Sequence, residues 1–76
     1  MLIMSLFSEN LRALRAEKRA HQKDLADFLD ITVRQYQRYE GGEQEPHIEG
    51  LVAIADYFGV SIDYLVGRTG NPEINR

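Results

Sequence analysis

The segment from Val33 to Arg38 carries side chains whose types and spacing could recognise a nucleic acid. At about 100° per residue in a helix, four of them share one face, and Tyr36 and Tyr39 fall on the other. In a DNA major groove, arginine can donate two hydrogen bonds to guanine, glutamine can pair with adenine, and valine can contact the thymine methyl group. An isolated short helix of this kind is more often a solvated polar surface. The four residues are Val33, Arg34, Gln37 and Arg38.

Two short helices with a tight turn between them would hold this face outward. The first is predicted over residues 22–29 and the second over residues 33–40, with Thr32 as its N-cap and Gly41 at its end. Gln35 follows Thr32 by three residues, which predicts a reciprocal capping box. Two such helices, packed against others, form a helix-turn-helix, whose second helix enters the major groove. This context favours base recognition over a solvated surface.

The rest of the sequence predicts three more helices and no strand. Ser8 is predicted to cap a first helix that ends near Arg19, a fourth helix covers residues 48–58, and Ser61 caps a last helix over residues 62–66. We therefore expect an all-α fold of five helices. The expected organisation is an apolar N-terminal arm over residues 1–6, a domain over residues 7–67 and a mobile polar tail over residues 68–76. The expected core is Leu11, Leu14, Leu25, Ala26, Leu29, Ile31, Tyr36, Tyr39, Leu51, Ile54, Phe58 and Leu65.

Two charged residues fall on faces that should be buried. Arg15 lies on the apolar face of the first helix, and Glu40 lies on the aromatic face of the third. A buried charge without a partner costs several kcal/mol, so we expect Arg15 and Glu40 to form an ion pair that joins the two helices. The alternative is that each side chain reaches water separately.

Composition and charge limit the function classes. The chain has 76 residues, no cysteine and a net charge of −3. Residues 1–40 carry seven basic and six acidic side chains, whereas residues 41–76 carry two and six, so a basic surface can still exist on the first half. No apolar run is long enough for a membrane span, and we expect a cytoplasmic protein.

Catalysis has little support in the sequence. No cysteine nucleophile is present, no serine has a histidine beside it, and His21 and His47 are too far apart to suggest a metal site. We expect no enzyme activity, no cofactor and no metal. A chain of this length also has no room for a small-molecule effector domain, so no such ligand is expected.

Several blocks of the sequence, with their spacing, resemble the XRE-type family of phage repressors and Cro. The resemblance implies a lambda-repressor-like five-helix domain that binds double-stranded operator DNA, usually as a homodimer, and regulates transcription. It assigns base contacts to the same face of the third helix, and it matches Arg15 and Glu40 to a family ion pair. The blocks are Phe7–Arg15, Gln22–Ala26, Arg38–Gly42, Pro46 and Ala55–Gly67.

Other positions are expected to contact phosphates or to position the third helix. Gln22 matches a family glutamine that touches a phosphate and braces the recognition helix, and helix N-termini offer further N–H groups to phosphate. These expected positioning residues are His21, Gln22, Thr32, Gln35 and Gln44.

The sequence also departs from the family pattern. His21 replaces the usual threonine or serine, which predicts a weaker cap, and Asp30 stands where the turn normally has glycine. Tyr36 replaces a smaller aliphatic residue. Glu43 and Glu45 lie in a loop where relatives often carry basic residues, so they should repel phosphate and lower the affinity for DNA.

Two function classes therefore remain. The first is a sequence-specific transcriptional regulator, with a repressor of phage or mobile-element type expected. The second is an antitoxin or protein-interaction module that antagonises another regulator, because the acidic second half could suit a basic partner.

Overall fold

Five helices form the chain, and the described residues contain no strand, so the all-α prediction is confirmed. The computed structural model describes residues 3–74, with side chains from Leu6 onward. The two predicted helices of the helix-turn-helix begin and end where expected. The helices are α1 Ile3–Lys18, α2 Gln22–Leu29, α3 Val33–Glu40, α4 Ile48–Phe58 and α5 Ile62–Leu65.

The first helix begins earlier than the sequence suggested. It starts at Ile3, so the prediction that Ser8 caps it is wrong, and residues 3–6 continue the helix instead of forming a separate arm. Phe7 explains the extension because its side chain is buried in the core, and a helical path brings it there. Ser8 is itself buried in the second turn of the helix, where its hydroxyl faces Gly42. Met1 and Leu2 of the expected arm lie outside the described residues.

Eight of the twelve predicted core residues are buried. The other four, Leu29, Ile31, Leu51 and Phe58, pack against it but are only partly buried. The prediction missed three residues of the buried hydrophobic core: Phe7, Ala55 and Val60. The buried predicted residues are Leu11, Leu14, Leu25, Ala26, Tyr36, Tyr39, Ile54 and Leu65.

The turn between α2 and α3 adopts the conformation expected for its unusual aspartate. Asp30 has φ 58° and ψ 44°, which is the left-handed region that glycine normally occupies. Its N–H donates to the Asp27 carbonyl, and the N–H of Ile31 donates to the Ala26 carbonyl, at 3.2 and 3.0 Å. These bonds satisfy the last carbonyl groups of α2 and reverse the chain into α3.

The capping box predicted at the start of α3 is only half present. The Thr32 hydroxyl accepts a hydrogen bond from the Gln35 N–H at 3.0 Å, as predicted. The Gln35 side chain does not return to Thr32, because its amide donates to the Gln44 side chain at 2.8 Å. At α2, the Asp24 carboxylate accepts from the His21 N–H at 2.8 Å, which supports a helix start that lacks the usual serine or threonine.

The C-terminal segment after α5 folds back toward the start of that helix. The Ser61 N–H donates to the Pro72 carbonyl at 2.9 Å, and the Arg68 N–H donates to the Asp63 carbonyl at 2.7 Å. Gly67, at φ 85°, makes this reversal possible. The last helix ends at Leu65, one residue before the predicted end.

Candidate nucleic-acid interface

The outward face of α3 is formed by the residues predicted to read bases. Tyr36 and Tyr39 point into the core, with their rings in an edge-to-face arrangement at 6.4 Å. Burial of these two rings fixes the rotation of the helix about its axis. The opposite face is therefore exposed, and it carries Val33, Arg34, Gln37 and Arg38.

A shallow recess lies on this face. Arg34, Gln37 and Arg38 line it together with Glu43, which comes from the loop after α3. The loop is held there because the N–H groups of Glu43 and Gln44 both donate to the Arg38 carbonyl, at 3.0 and 3.3 Å. A carboxylate thus shares the surface with two guanidinium groups.

Behind the exposed face, the Glu40 carboxylate collects four side-chain hydrogen bonds. The Arg15 guanidinium donates to both carboxylate oxygens, at 2.5 and 3.1 Å, so the two predicted partners are in contact. The Tyr36 hydroxyl donates at 2.6 Å and the Gln22 amide at 3.1 Å. In addition, the Arg12 guanidinium donates to the Glu40 main-chain carbonyl. The end of α3 is therefore tied to α1 and to α2.

This network changes the acidity of its members. Burial disfavours the charged form of Glu40, but the hydrogen bonds from Arg15, Tyr36 and Gln22 outweigh that effect and hold the pKa of the carboxyl group below its ordinary value. Burial, together with the hydrogen bond to Glu40, raises the pKa of the Tyr36 hydroxyl. Glu40 is therefore ionised and Tyr36 is neutral near neutral pH.

A chain of amide hydrogen bonds leads from Glu40 to the exposed face. A carboxylate can only accept, so the Gln22 side chain must direct its Nε2 group at Glu40 and its Oε1 atom away. That Oε1 atom accepts from the Nε2 group of Gln37 at 3.1 Å. The Oε1 atom of Gln37 and its second amide hydrogen remain for another partner, and these are the groups that glutamine uses to pair with adenine.

Sequence comparison identifies the family. A family model described as Helix-turn-helix matches residues 11–65, which contain the whole site. This chain belongs to the helix-turn-helix family, of the XRE type that the sequence suggested.

Two curated members of the helix-turn-helix family are similar to this chain. The HTH-type transcriptional regulator YqaE of Bacillus subtilis is 39% identical over 69 residues, which cover 91% of this chain and 60% of that protein. The cryptic phage CTXphi transcriptional repressor RstR of Vibrio cholerae is 44% identical over 52 residues, which cover 68% of this chain and 46% of that protein. The chain thus spans between 46% and 60% of the length of these two relatives.

The same helix arrangement occurs in a solved structure. A transcriptional regulator from Listeria innocua superposes with a TM-score of 0.78 and 41% sequence identity. The superposition covers 80% of this chain and 57% of that protein. The fold is therefore that of a helix-turn-helix regulator.

The residues expected to position α3 or to contact phosphate differ in their contacts within the protein. Gln22 donates a hydrogen bond to Glu40 at the end of α3, whereas His21 and Thr32 are exposed at the starts of α2 and α3. Gln35 and Gln44 bond to each other, so they fix the loop after α3. Contacts of any of these residues with phosphate stay predictions.

The guanidinium groups of Arg34 and Arg38 are available to a ligand. Over the described side chains, the ion pairs are Arg15–Glu40 and Lys23–Asp27, and neither includes the α3 surface. Within residues 3–74, no cluster of histidine, aspartate and glutamate side chains could hold a metal ion, and no helix is long and apolar enough to cross a membrane.

Sequence reasoning missed two features of this surface. It placed Glu43 in a loop and not beside the arginines, because the path of the loop depends on main-chain bonds to Arg38 that no side-chain pattern records. It also missed the bond between Gln37 and Gln22, which are 15 residues apart. Gln37 belongs to the exposed face of α3, and the pattern of residues on that face does not indicate Gln22 as its partner.

Proposed function

We propose that this chain is a sequence-specific DNA-binding transcriptional regulator that reads the major groove with α3. The observation that carries this proposal is the exposed face of α3. It carries two arginines that form no ion pair with another described side chain, and a glutamine oriented by Gln22. The hydrogen bonds to Glu40 hold the helix from behind. A side chain that reads a base must be held in a fixed position relative to the edge of that base. A helix that moved relative to the domain would lose this geometry.

The spacing on α3 fits the stacking of bases. Arg34 and Arg38 are one turn apart, or about 6 Å along the helix axis, and base pairs stack about 3.4 Å apart. The two guanidinium groups can therefore reach guanines on base pairs about two steps apart. Gln37, between them, offers its amide to adenine, and Val33 can contact a thymine methyl group. His21, Gln22, Thr32, Gln35 and Gln44 would contact phosphates or hold α3 and its loop in register.

The proposed assembly is a homodimer on a two-fold operator. A domain of this size reads only a few base pairs, and helix-turn-helix dimers bind half-sites roughly 34–36 Å apart. We further propose that the chain represses transcription of phage or mobile-element genes in the cytoplasm, without catalysis and without a small-molecule effector. The similarity to RstR, a phage transcriptional repressor, supports this direction of regulation.

The second candidate is an antitoxin or protein-interaction module. A recess of about 370 Å³ lies between α4, α5 and the C-terminal segment. Its lining combines apolar Val52 and Ile74 with the carboxylates of Asp56 and Asp63. This combination suits a basic partner segment, and it does not involve the α3 surface.

Salt dependence distinguishes the two candidates. Binding of fluorescent duplexes of random sequence would be measured by anisotropy at several salt concentrations. The proposed function predicts that log Kd rises with log salt concentration with a slope near 0.9 for each phosphate contacted. An exchange of Asp56 and Asp63 for asparagine should leave DNA binding intact, because the recess lies apart from α3. Absence of DNA binding at low salt would contradict the proposal.

A further inference from the structure

The recess on α3 contains one group that differs in chemistry from the rest. Arg34, Arg38 and Gln37 all offer hydrogen-bond donors to a ligand, whereas the carboxylate of Glu43 can only accept. On the major-groove edge, guanine presents two acceptors and cytosine presents an amino donor. Adenine presents an amino donor beside its N7 acceptor. A carboxylate, which can only accept, therefore has a restricted set of bases that it can face.

The Glu43 side chain is held at this place by its loop. Main-chain bonds from Glu43 and Gln44 to the Arg38 carbonyl fold the loop over the end of α3. The Gln35–Gln44 side-chain bond, at 2.8 Å, ties the same loop to the first turn of α3.

The Glu43 carboxylate forms no ion pair or hydrogen bond with another side chain that the structure describes. Neither ion pair between described side chains includes it, although two guanidinium groups line the same recess. Glu45 is a matched contrast, because it is an acidic residue of the same loop, is exposed, and does not line the recess. Simple repulsion of phosphate would apply to both residues, but only Glu43 lies with the base-facing side chains.

We propose that Glu43 is a specificity-determining residue that accepts a hydrogen bond from the exocyclic amino group of a cytosine. This assignment rests on the proposed reading of DNA by α3. Cytosine presents its amino group alone on the major-groove edge, whereas adenine places the N7 acceptor beside it and guanine presents two acceptors. A carboxylate is repelled by each of those acceptors, so Glu43 selects cytosine by attraction and rejects guanine by repulsion.

The test is selection of bound fragments from random duplex DNA with the wild-type chain, Glu43→Gln, Glu43→Ala and Glu45→Gln. Thermal unfolding of each variant checks that it is folded. Wild type should select a site with a cytosine next to the guanines assigned to Arg34 and Arg38. Glu43→Gln should lower the cytosine preference about tenfold and raise adenine at that position only, because an amide pairs with adenine. Glu43→Ala should lose the preference without gaining another.

Glu45→Gln is the control for charge. It removes the same charge from the same loop and should retain the wild-type site. The assignment is overturned if Glu43→Gln selects the wild-type site with uniformly higher affinity, or if it alters the guanine positions instead of a cytosine. If the wild-type chain itself selects no site, the proposed function fails first, and that result is distinct from a wild-type site that Glu43 variants leave unchanged.

Discussion

The Arg15 guanidinium donates to both oxygens of the Glu40 carboxylate, at 2.5 and 3.1 Å, and so joins the last turn of α1 to the last residue of α3. Glu40 is 5% exposed and Arg15 is 25% exposed at the side chain, so the pair is shielded but not sealed from water. The contacts on the inner side of α3 fix the direction in which its outward face points. The Arg15–Glu40 pair therefore helps to orient the surface proposed to bind DNA.

The first prediction concerns the coupling between these two residues. Arg15→Met leaves Glu40 buried without its cation and should cost on the order of 2–3 kcal/mol of unfolding free energy, a value discounted for the partial exposure of Arg15. The combined change with Glu40→Leu should cost less than the sum of the two single changes. Urea unfolding of the four members of this double-mutant cycle measures the coupling, and purely additive costs would contradict the account.

The second prediction concerns acid stability. The folded-state pKa of Glu40 lies below its ordinary value of 4.5, so the ionised carboxylate stabilises the fold above that pH. This contribution is lost as pH falls through the folded-state value. Glu40→Gln should be less stable than wild type near pH 7, and the difference should shrink steadily below about pH 4.5. Parallel stability curves from pH 7 to 3 would show that the carboxylate makes no such contribution.

The third prediction tests the core. Leu25 is fully buried, so Leu25→Ala should cost about 2–5 kcal/mol through lost burial and a residual cavity. Val52 is 41% exposed, and Val52→Ala serves as the control, with an expected cost within about 0.5 kcal/mol of zero. Thermal unfolding compares the two variants. Equal melting temperatures for Leu25→Ala and wild type would contradict this core.

Local signals predicted most of this fold. The bounds of α3 follow from Thr32 and the glycine at position 41, and the pairing of Arg15 with Glu40 follows from two charges on otherwise buried faces. These features depend on neighbouring residues or on a large energetic penalty. Both kinds of signal are visible in a single sequence.

Other features depended on the tertiary structure. Ser8 looks like a cap in isolation, but burial of Phe7 extends α1 past it. The C-terminal segment looks mobile from its polar sequence alone, but the Ser61 N–H donates a hydrogen bond to the Pro72 carbonyl. The position of Glu43 depends on main-chain hydrogen bonds, which carry no residue signature.

The fourth prediction concerns Gln22, which holds Gln37 as well as Glu40. A residue that touches only phosphate should weaken all DNA sites by similar factors. Gln22→Ala should instead also relax the base preference at the position that Gln37 reads, because the Gln37 amide loses its fixed orientation. Affinities for duplexes that differ at that single base pair provide the measurement. A uniform loss over all duplexes would show that Gln22 acts on phosphate alone.

The central claim is that the outward face of α3 reads base sequence, and fragment selection from random DNA with three arginine variants tests it most directly. Arg34→Ala and Arg38→Ala should each lose preference at one base pair and weaken binding there by about 1–3 kcal/mol. Arg68→Ala removes the same charge outside α3 and should select the wild-type site with two-fold symmetry. If Arg34→Ala and Arg38→Ala both kept the wild-type affinity and preferred sequence, α3 would not be the reading element.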